Sequence, residues 1–138
     1  MLAKITIDIN IFKLTNYQTF KLKFMKSSLK NSVRIIGNLG MNPEVKSFGT
    51  DQKLAKFSVA TTETYKNAKG EKEQVTQWHN VVVWGKLASV VEKYMQKGQM
   101  IALEGQLTNR SYLDKSGNKK YITEIRANQI QMLAKKAS

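Results

Sequence analysis

Through most of the chain the apolar residues recur at every second position, the period of a strand with one buried face. SVRIIGNLG predicts a first strand ending in a bend, with Gly37 and Gly40 marking a bulge or a close approach of two backbones. Asn42 and Pro43, the only proline, predict a loop. KLAKFSVATTETY predicts a second strand, with Phe57 and Val59 on one side and Leu54 interrupting the alternation. NAKGEKEQ, polar and charged around Gly70, predicts a mobile loop leading into a third strand that Gly85 ends. Over residues 86–97 the period becomes helical. Leu87, Val90, Val91, Tyr94 and Met95 make one apolar stripe, with Gly98 in the position that closes a helix. QMIALEGQL predicts a fourth strand with Ile101 and Leu103 inward, and NRSYLDKSGNKKYITEIRANQIQML a long hairpin arm turning at Ser116, Gly117 and Asn118.

The third strand raises a question of its own, because WHNVVVWGK holds both tryptophans and the only histidine. Alternation puts Trp78, Asn80, Val82 and Trp84 on one face and His79, Val81 and Val83 on the other. Two readings fit: a central strand buried on both sides, or an aromatic platform at the surface backed by a valine core. Three strands, a short helix and two more strands is the order of an OB-fold, an all-β five-stranded Greek-key barrel whose face and loops commonly bind oligonucleotides.

Residues 1–24 read differently, alternating at Ile5, Ile7, Ile9 and Ile11 and again at Phe20, Leu22 and Phe24. They predict either a two-stranded hairpin extension or translated AT-rich upstream sequence, with Met25 as the natural start. They have neither the apolar stretch of a signal peptide nor the arginines of a mitochondrial presequence.

Composition narrows the function. A chain of 138 residues with 41% hydrophobic content can bury one ordinary core. Its net charge of +13 attracts polyanions at long range, and without the four lysines and Asp8 of the leader +10 remains, so the bias belongs to the domain. Nucleic acid is the first candidate partner; a membrane is disfavoured, since no apolar run approaches about 18 residues. Absence of cysteine removes thiol chemistry, fits a reducing compartment and, with one histidine, argues against a zinc site or another cofactor. His79 has no partner at triad-like spacing, and no phosphate loop or metal-binding carboxylate cluster is evident, so the chain reads as no enzyme.

Four stretches carry a more specific signal: NSVRIIGNLGMNPEV, FSVATTETY, TQWHNVVVWGKLASVVEKYMQKG and IALEGQLTNRSY with its KSG turn. In this order, from Asn31 to Leu133, they closely resemble the bacterial single-stranded DNA-binding protein family. The resemblance implies an OB-fold domain over residues 25–133 that binds single-stranded DNA without sequence specificity. It implies that the aromatic rings at Tyr65, Trp78, Trp84 and Tyr112 stack on unpaired bases, and that Lys66, Lys86, Lys97 and Arg110 follow the phosphates. Two of these positions hold Tyr where members often carry Trp, and Trp84 stands where Phe is common; all four stay aromatic, which is what stacking requires. The resemblance also puts His79 near a subunit contact in a homotetramer built as a dimer of dimers, and places the protein in the bacterial cytoplasm at the nucleoid. Members typically end in an acidic tail that recruits replication and repair enzymes. Residues 134–138 are short and basic instead, which puts that recruitment in doubt. The second reading is an RNA-binding or primosomal OB-fold protein, which shares the barrel and the charge without needing the aromatic set.

Overall fold

The computed structural model describes residues 30–133. The leader, the start at Met25 and the basic end at 134–138 lie outside the described residues. The unit that begins at Val33 contains strands β1 (Val33–Leu39), β2 (Glu44–Phe48), β3 (Gln52–Lys66) and β4 (Lys72–Trp84), helix α1 (Lys86–Tyr94), then β5 (Met100–Leu113) and β6 (Lys119–Met132).

The strands close on themselves. β1 pairs antiparallel with β5, β5 with β6, and β3 with β4, while β6 meets β4 in parallel at Val81 opposite Ile125. The ring shuts where β1 crosses to β3, with Asn38 opposite Ala60 and Leu39 opposite Val59. β2 continues along the same edge of β3, from Glu44 opposite Lys56 to Phe48 opposite Gln52. Alternate residues point into the barrel, and Leu39, Ala55, Phe57, Val59, Val81, Val83, Ile101, Leu103 and Ile125 form its core. Closure leaves few open backbone edges and hides the apolar half of each strand from water, which is the main source of stability.

The expected strand order around the helix is present, with four differences. The chain after Pro43 returns to strand geometry as β2, which the sequence reading passed over because EVKSF is almost wholly exposed and shows no alternation. The helix ends a turn early: Met95 is extended, and Gly98, at φ +86°, sits in a later turn where its N–H donates to the Leu39 carbonyl at 2.8 Å. The buried stripe of α1 is Ala88 and Val91, with Met95 buried just past its end, whereas Val90 and Tyr94 face outward, because only one narrow side of so short a helix meets the barrel. NAKGEKEQ is a tied turn rather than a loose loop. Asn67 Oδ1 accepts the backbone N–H groups of Lys69 and Glu71 at 2.9 and 3.0 Å, and β4 has already begun at Lys72.

Two hairpins run past the barrel. The outer parts of β3 and β4 are exposed on both faces, as are those of β5 and β6. The second arm turns as expected before Lys119, and Asp114 organises it by accepting the N–H groups of Ser116 and Asn118 at 2.9 and 2.8 Å.

Barrel closure depends on Gly37. A Cβ there would lie 2.2 Å from the Ala60 carbonyl oxygen, a backbone atom that cannot move without opening the β1–β3 contact. Gly37→Ala is therefore expected to destabilise the domain by about 1–3 kcal/mol, read by denaturant unfolding; an unchanged midpoint would show that the two strands can part without consequence.

Candidate nucleic-acid interface

The outer face of the β3–β4 ladder pairs Leu54 with Trp84, Lys56 with Val82, Ser58 with Asn80 and Ala60 with Trp78. Each expectation for the tryptophan strand holds over part of its length. Val81, Val82 and Val83 are buried on both faces, while the flanking rings stand out, Trp78 at 62% exposure and Trp84 at 47%. Six residues of extended chain separate the two rings by about 20 Å along the strand.

Each ring has its own support. The Trp78 indole rests on Gly40: a Cβ there would fall 2.2 Å from the Cζ3 atom of the ring and 2.9 Å from Ser58 Oγ. Trp84 has Phe48 of β2 beside it, with ring centres 6.4 Å apart and planes tilted by 30°. Large apolar surfaces held toward water by such supports add little to the barrel core, so they are available to a ligand.

A groove runs from Trp84 as far as Asn80, two residues short of Trp78. Two depressions of about 250 and 370 Å³ share Lys56, Val82, Arg110 and Glu124; the first extends to Met41 and Asn80, the second to Trp84 and Arg126. Arg110 forks onto the buried Glu124, with Nε 3.0 Å from Oε2 and Nη2 2.9 Å from Oε1, and its guanidinium lies 6.0 Å from the Tyr112 ring centre. The hydrogen bond and charge of Glu124 hold the Arg110 proton more firmly than usual. Lys56 and Arg126 have no ion-pair partner among the described residues.

The other sequence-predicted residues are spread around this groove. Tyr65 and Lys66 lie at the far end of the β3–β4 hairpin, away from its lining. Tyr65 is on the strand side of Phe57 and Val59, as alternation demands, and the ladder to Lys66 opposite Lys72 contains no bulge. It is exposed because the strand has left the barrel. Its hydroxyl donates to Glu73 Oε2 at 2.6 Å, and Asn67 Nδ2 donates to Glu73 Oε1 at 2.9 Å. These bonds hold the Glu73 carboxyl below its usual range, and the bond to Glu73 raises the Tyr65 phenol. Lys86 is exposed at the start of α1, two residues beyond Trp84. Lys97 is exposed next to the β1–β2 connection, its backbone N–H bound to Asn42 Oδ1 at 2.8 Å. His79 is half-buried on the inner side of β4, with Nε2 2.9 Å from Thr61 Oγ1.

Residues 30–133 match the model of the Single-strand binding protein family. This chain belongs to the single-strand binding protein family. Among its relatives, "Single-stranded DNA-binding protein 1" of Xylella fastidiosa is 45% identical over 107 residues, 77% of this chain and 79% of the relative. A protein of the same name from Chlorobaculum tepidum is 42% identical over 109 residues, 78% of this chain and 67% of the relative. Among solved structures, the Plasmodium falciparum SSB complex with ssDNA superposes with a TM-score of 0.68 at 30% identity, covering 75% of this chain and 95% of the other. The barrel is thus the OB-fold of this family, with the first strand broken into β1 and β2.

Sequence reasoning overlooked Lys56, Arg126 and Phe48, all of which border the groove or Trp84. Lys56 sits on the same side of β3 as Leu54, and that parity was a usable signal once β3 and β4 were paired. Tyr121 was also missed. It is 74% exposed on the opposite side of the arm from Tyr112, with Lys119 Nζ 5.6 Å from its ring centre.

Two measurements check this geometry. In a Trp84→Phe background, Gly40→Ala is expected to shift the emission of the remaining indole, since the added methyl lifts Trp78 from its seat; an unchanged spectrum would place the ring elsewhere. The Tyr65–Glu73 bond needs a protonated phenol and an ionised carboxyl. Its contribution from Tyr65 is complete below the ordinary phenol pKa and is lost as pH rises through the raised value; that from Glu73 is complete above the ordinary carboxyl pKa and is lost as pH falls through the lowered one. In an ultraviolet phenolate titration, Glu73→Ala should bring one late-titrating tyrosine back toward its ordinary value; a titration identical to that of the wild type would disprove the bond.

Proposed function

We propose that this protein binds single-stranded DNA without sequence specificity and, as a non-catalytic coat, protects and organises it during replication, recombination and repair. The observation that carries this is the pair of exposed tryptophans on the outer face of β4, with a groove that holds Lys56, Arg110 and Arg126 beside Trp84. Every base offers a π-face, so stacking worth about 1–3 kcal/mol per base gives affinity with little sequence preference. A duplex hides that face inside its stack, hence the preference for single strands. Tyr112 continues the aromatic path along the arm, and Tyr65, on the other side of the β3–β4 ladder, offers a further ring at the end of that hairpin. Lys66, Lys86 and Lys97 supply phosphate contacts near them.

In this reading residues 25–133 are the binding domain and residues 1–24 an extension. The protein works in the bacterial cytoplasm at the nucleoid, where single strands arise. Among the described residues no helix is long and apolar enough to cross a membrane. The protein assembles as a homotetramer, a dimer of dimers, with His79 near a subunit contact. Two features support an assembly. Among the described residues, 33–37 of β1 pair with β5 on one side only, and the exposed Ile36 borders a groove of about 490 Å³ with Ile35 and Ile130. A free strand edge beside an apolar surface suits pairing with a second copy.

Titration of tryptophan emission with oligo-dT is expected to give deep quenching that persists at moderate salt, with much weaker binding to a duplex of equal length. Trp78→Ala should weaken dT binding by about 1–3 kcal/mol, and Lys66→Gln should reduce the slope of log affinity against log salt by about 0.7. Equal, salt-labile binding to both without quenching would overturn the stacking mechanism; tighter binding to RNA of the same sequence would favour an RNA-binding role. Sedimentation should show a tetramer that Ile36→Glu dissociates, and a monomeric wild type would remove the assembly.

A further inference from the structure

Glu124 is the one buried charged residue among the described residues, and it lies in the wall of the groove, where a polyanion is expected to pass. Its side chain is 7% exposed, whereas that of its partner Arg110 is 46% exposed. On β5 and β6, Thr108 stands opposite Glu124, Arg110 opposite Ile122 and Tyr112 opposite Lys120, so the ion pair runs diagonally across the root of the arm on the face that carries Tyr112. Both carboxylate oxygens are taken by the guanidinium fork, and the guanidinium in turn lies over the Tyr112 ring.

We propose that Glu124 cancels the charge of Arg110 within the groove and makes it a positioning residue that holds the Tyr112 ring, rather than a phosphate contact. Turning Arg110 toward a phosphate would leave a carboxylate uncompensated in a site that water scarcely reaches, a larger loss than one half-exposed contact returns. The bidentate fork also fixes the guanidinium plane, which a single-point contact does not, and a fixed plane can set the orientation of the ring beneath it. A neutral pair gathers no counterions to release, so Arg110 adds nothing to the salt dependence of binding, while Lys56 and Arg126 in the same groove, which have no ion-pair partner among the described residues, contribute to it, Lys56 even with Glu44 opposite it in the ladder. Affinity at low salt is thereby held below what the basic face alone would give.

This inference rests on the proposed function. Its test is oligo-dT affinity over a salt series for the wild type, Lys56→Gln, Glu124→Gln and the double variant Arg110→Gln/Glu124→Gln, with thermal unfolding to verify that each is folded. Lys56→Gln should lower the slope by about 0.7, and Glu124→Gln should raise it by about 0.7, which is about fivefold tighter binding for each tenfold drop in salt. The double variant, which removes both charges, should return to the wild-type slope. It also removes the ring support without stranding a buried charge. Its loss of affinity should therefore overlap with that of Tyr112→Ala, the triple variant binding less weakly than the product of the two losses predicts. A double variant whose slope falls about 0.7 below wild type, or a Glu124→Gln slope that does not change, would mean that Arg110 contacts phosphate and would overturn the proposal. Independent, multiplying losses for Arg110 and Tyr112 would overturn the positioning role. A wild type that binds no dT would overturn the functional reading and this inference with it; normal binding with the wrong slopes overturns this inference alone.

Discussion

The interface depends on the unshifted antiparallel ladder between β3 and β4, which runs from Leu54 opposite Trp84 to Lys66 opposite Lys72. Side chains on a strand alternate strictly, so this register sends Val81 and Val83 into the barrel and Trp78 and Trp84 out of it. A slip of one residue would bury the indoles and expose the valines, and the core would not form. Folding therefore selects the register that sets both indoles on the outer face. The length of the ladder has a second effect: β3 and β4 outlast the barrel, and Tyr65 is exposed without any bulge, on the same strand side as the core residues Phe57 and Val59.

Close backbone approach is the complementary constraint. At Gly37 a missing side chain lets β1 reach β3 and close the ring; at Gly40, three residues on, it leaves a seat for the Trp78 indole. Closure and the seating of Trp78 are thus served by two glycines three residues apart, one in β1 and one just past its end. Phe48, on the β2 continuation of that edge, stands beside the other indole. Electrostatics work on a different scale. A net charge of +13 attracts polyanions over the roughly 10 Å that screening leaves at moderate salt, while within the groove the charges with no ion-pair partner among the described residues are Lys56, Arg126 and the opposing Glu44.

Much of the fold was legible because its signals are local. The alternation of FSVATTETY and WHNVVVWG, the helical period after Gly85, and the Ser116–Asn118 turn each depend on residues a few positions apart. β2 was not legible, since an exposed strand that serves only to line an edge has no apolar periodicity to read. The apolar stripe of α1 was overestimated for a related reason: Tyr94 fits it by spacing, yet its side of the helix stays exposed. At the site, the aromatic positions were readable from motif order. The role of the basic ones was less so, because a lysine or arginine looks the same in sequence whether it is solvated, free in a groove or already paired.

By itself, then, the sequence determined the strand period, the turns, the basic character and the side of β4 on which its aromatic residues stand, all properties of a residue and its near neighbours along the chain. The tertiary structure alone decided which residues meet across strands. Trp78 on Gly40, Lys56 opposite Val82 and Arg110 on Glu124 join positions 38, 26 and 14 apart in the chain, and only barrel closure and register bring them together. Whether a charge in the groove is available or neutralised follows from those encounters, because a partner's distance and burial set its effect and neither is encoded at the residue itself.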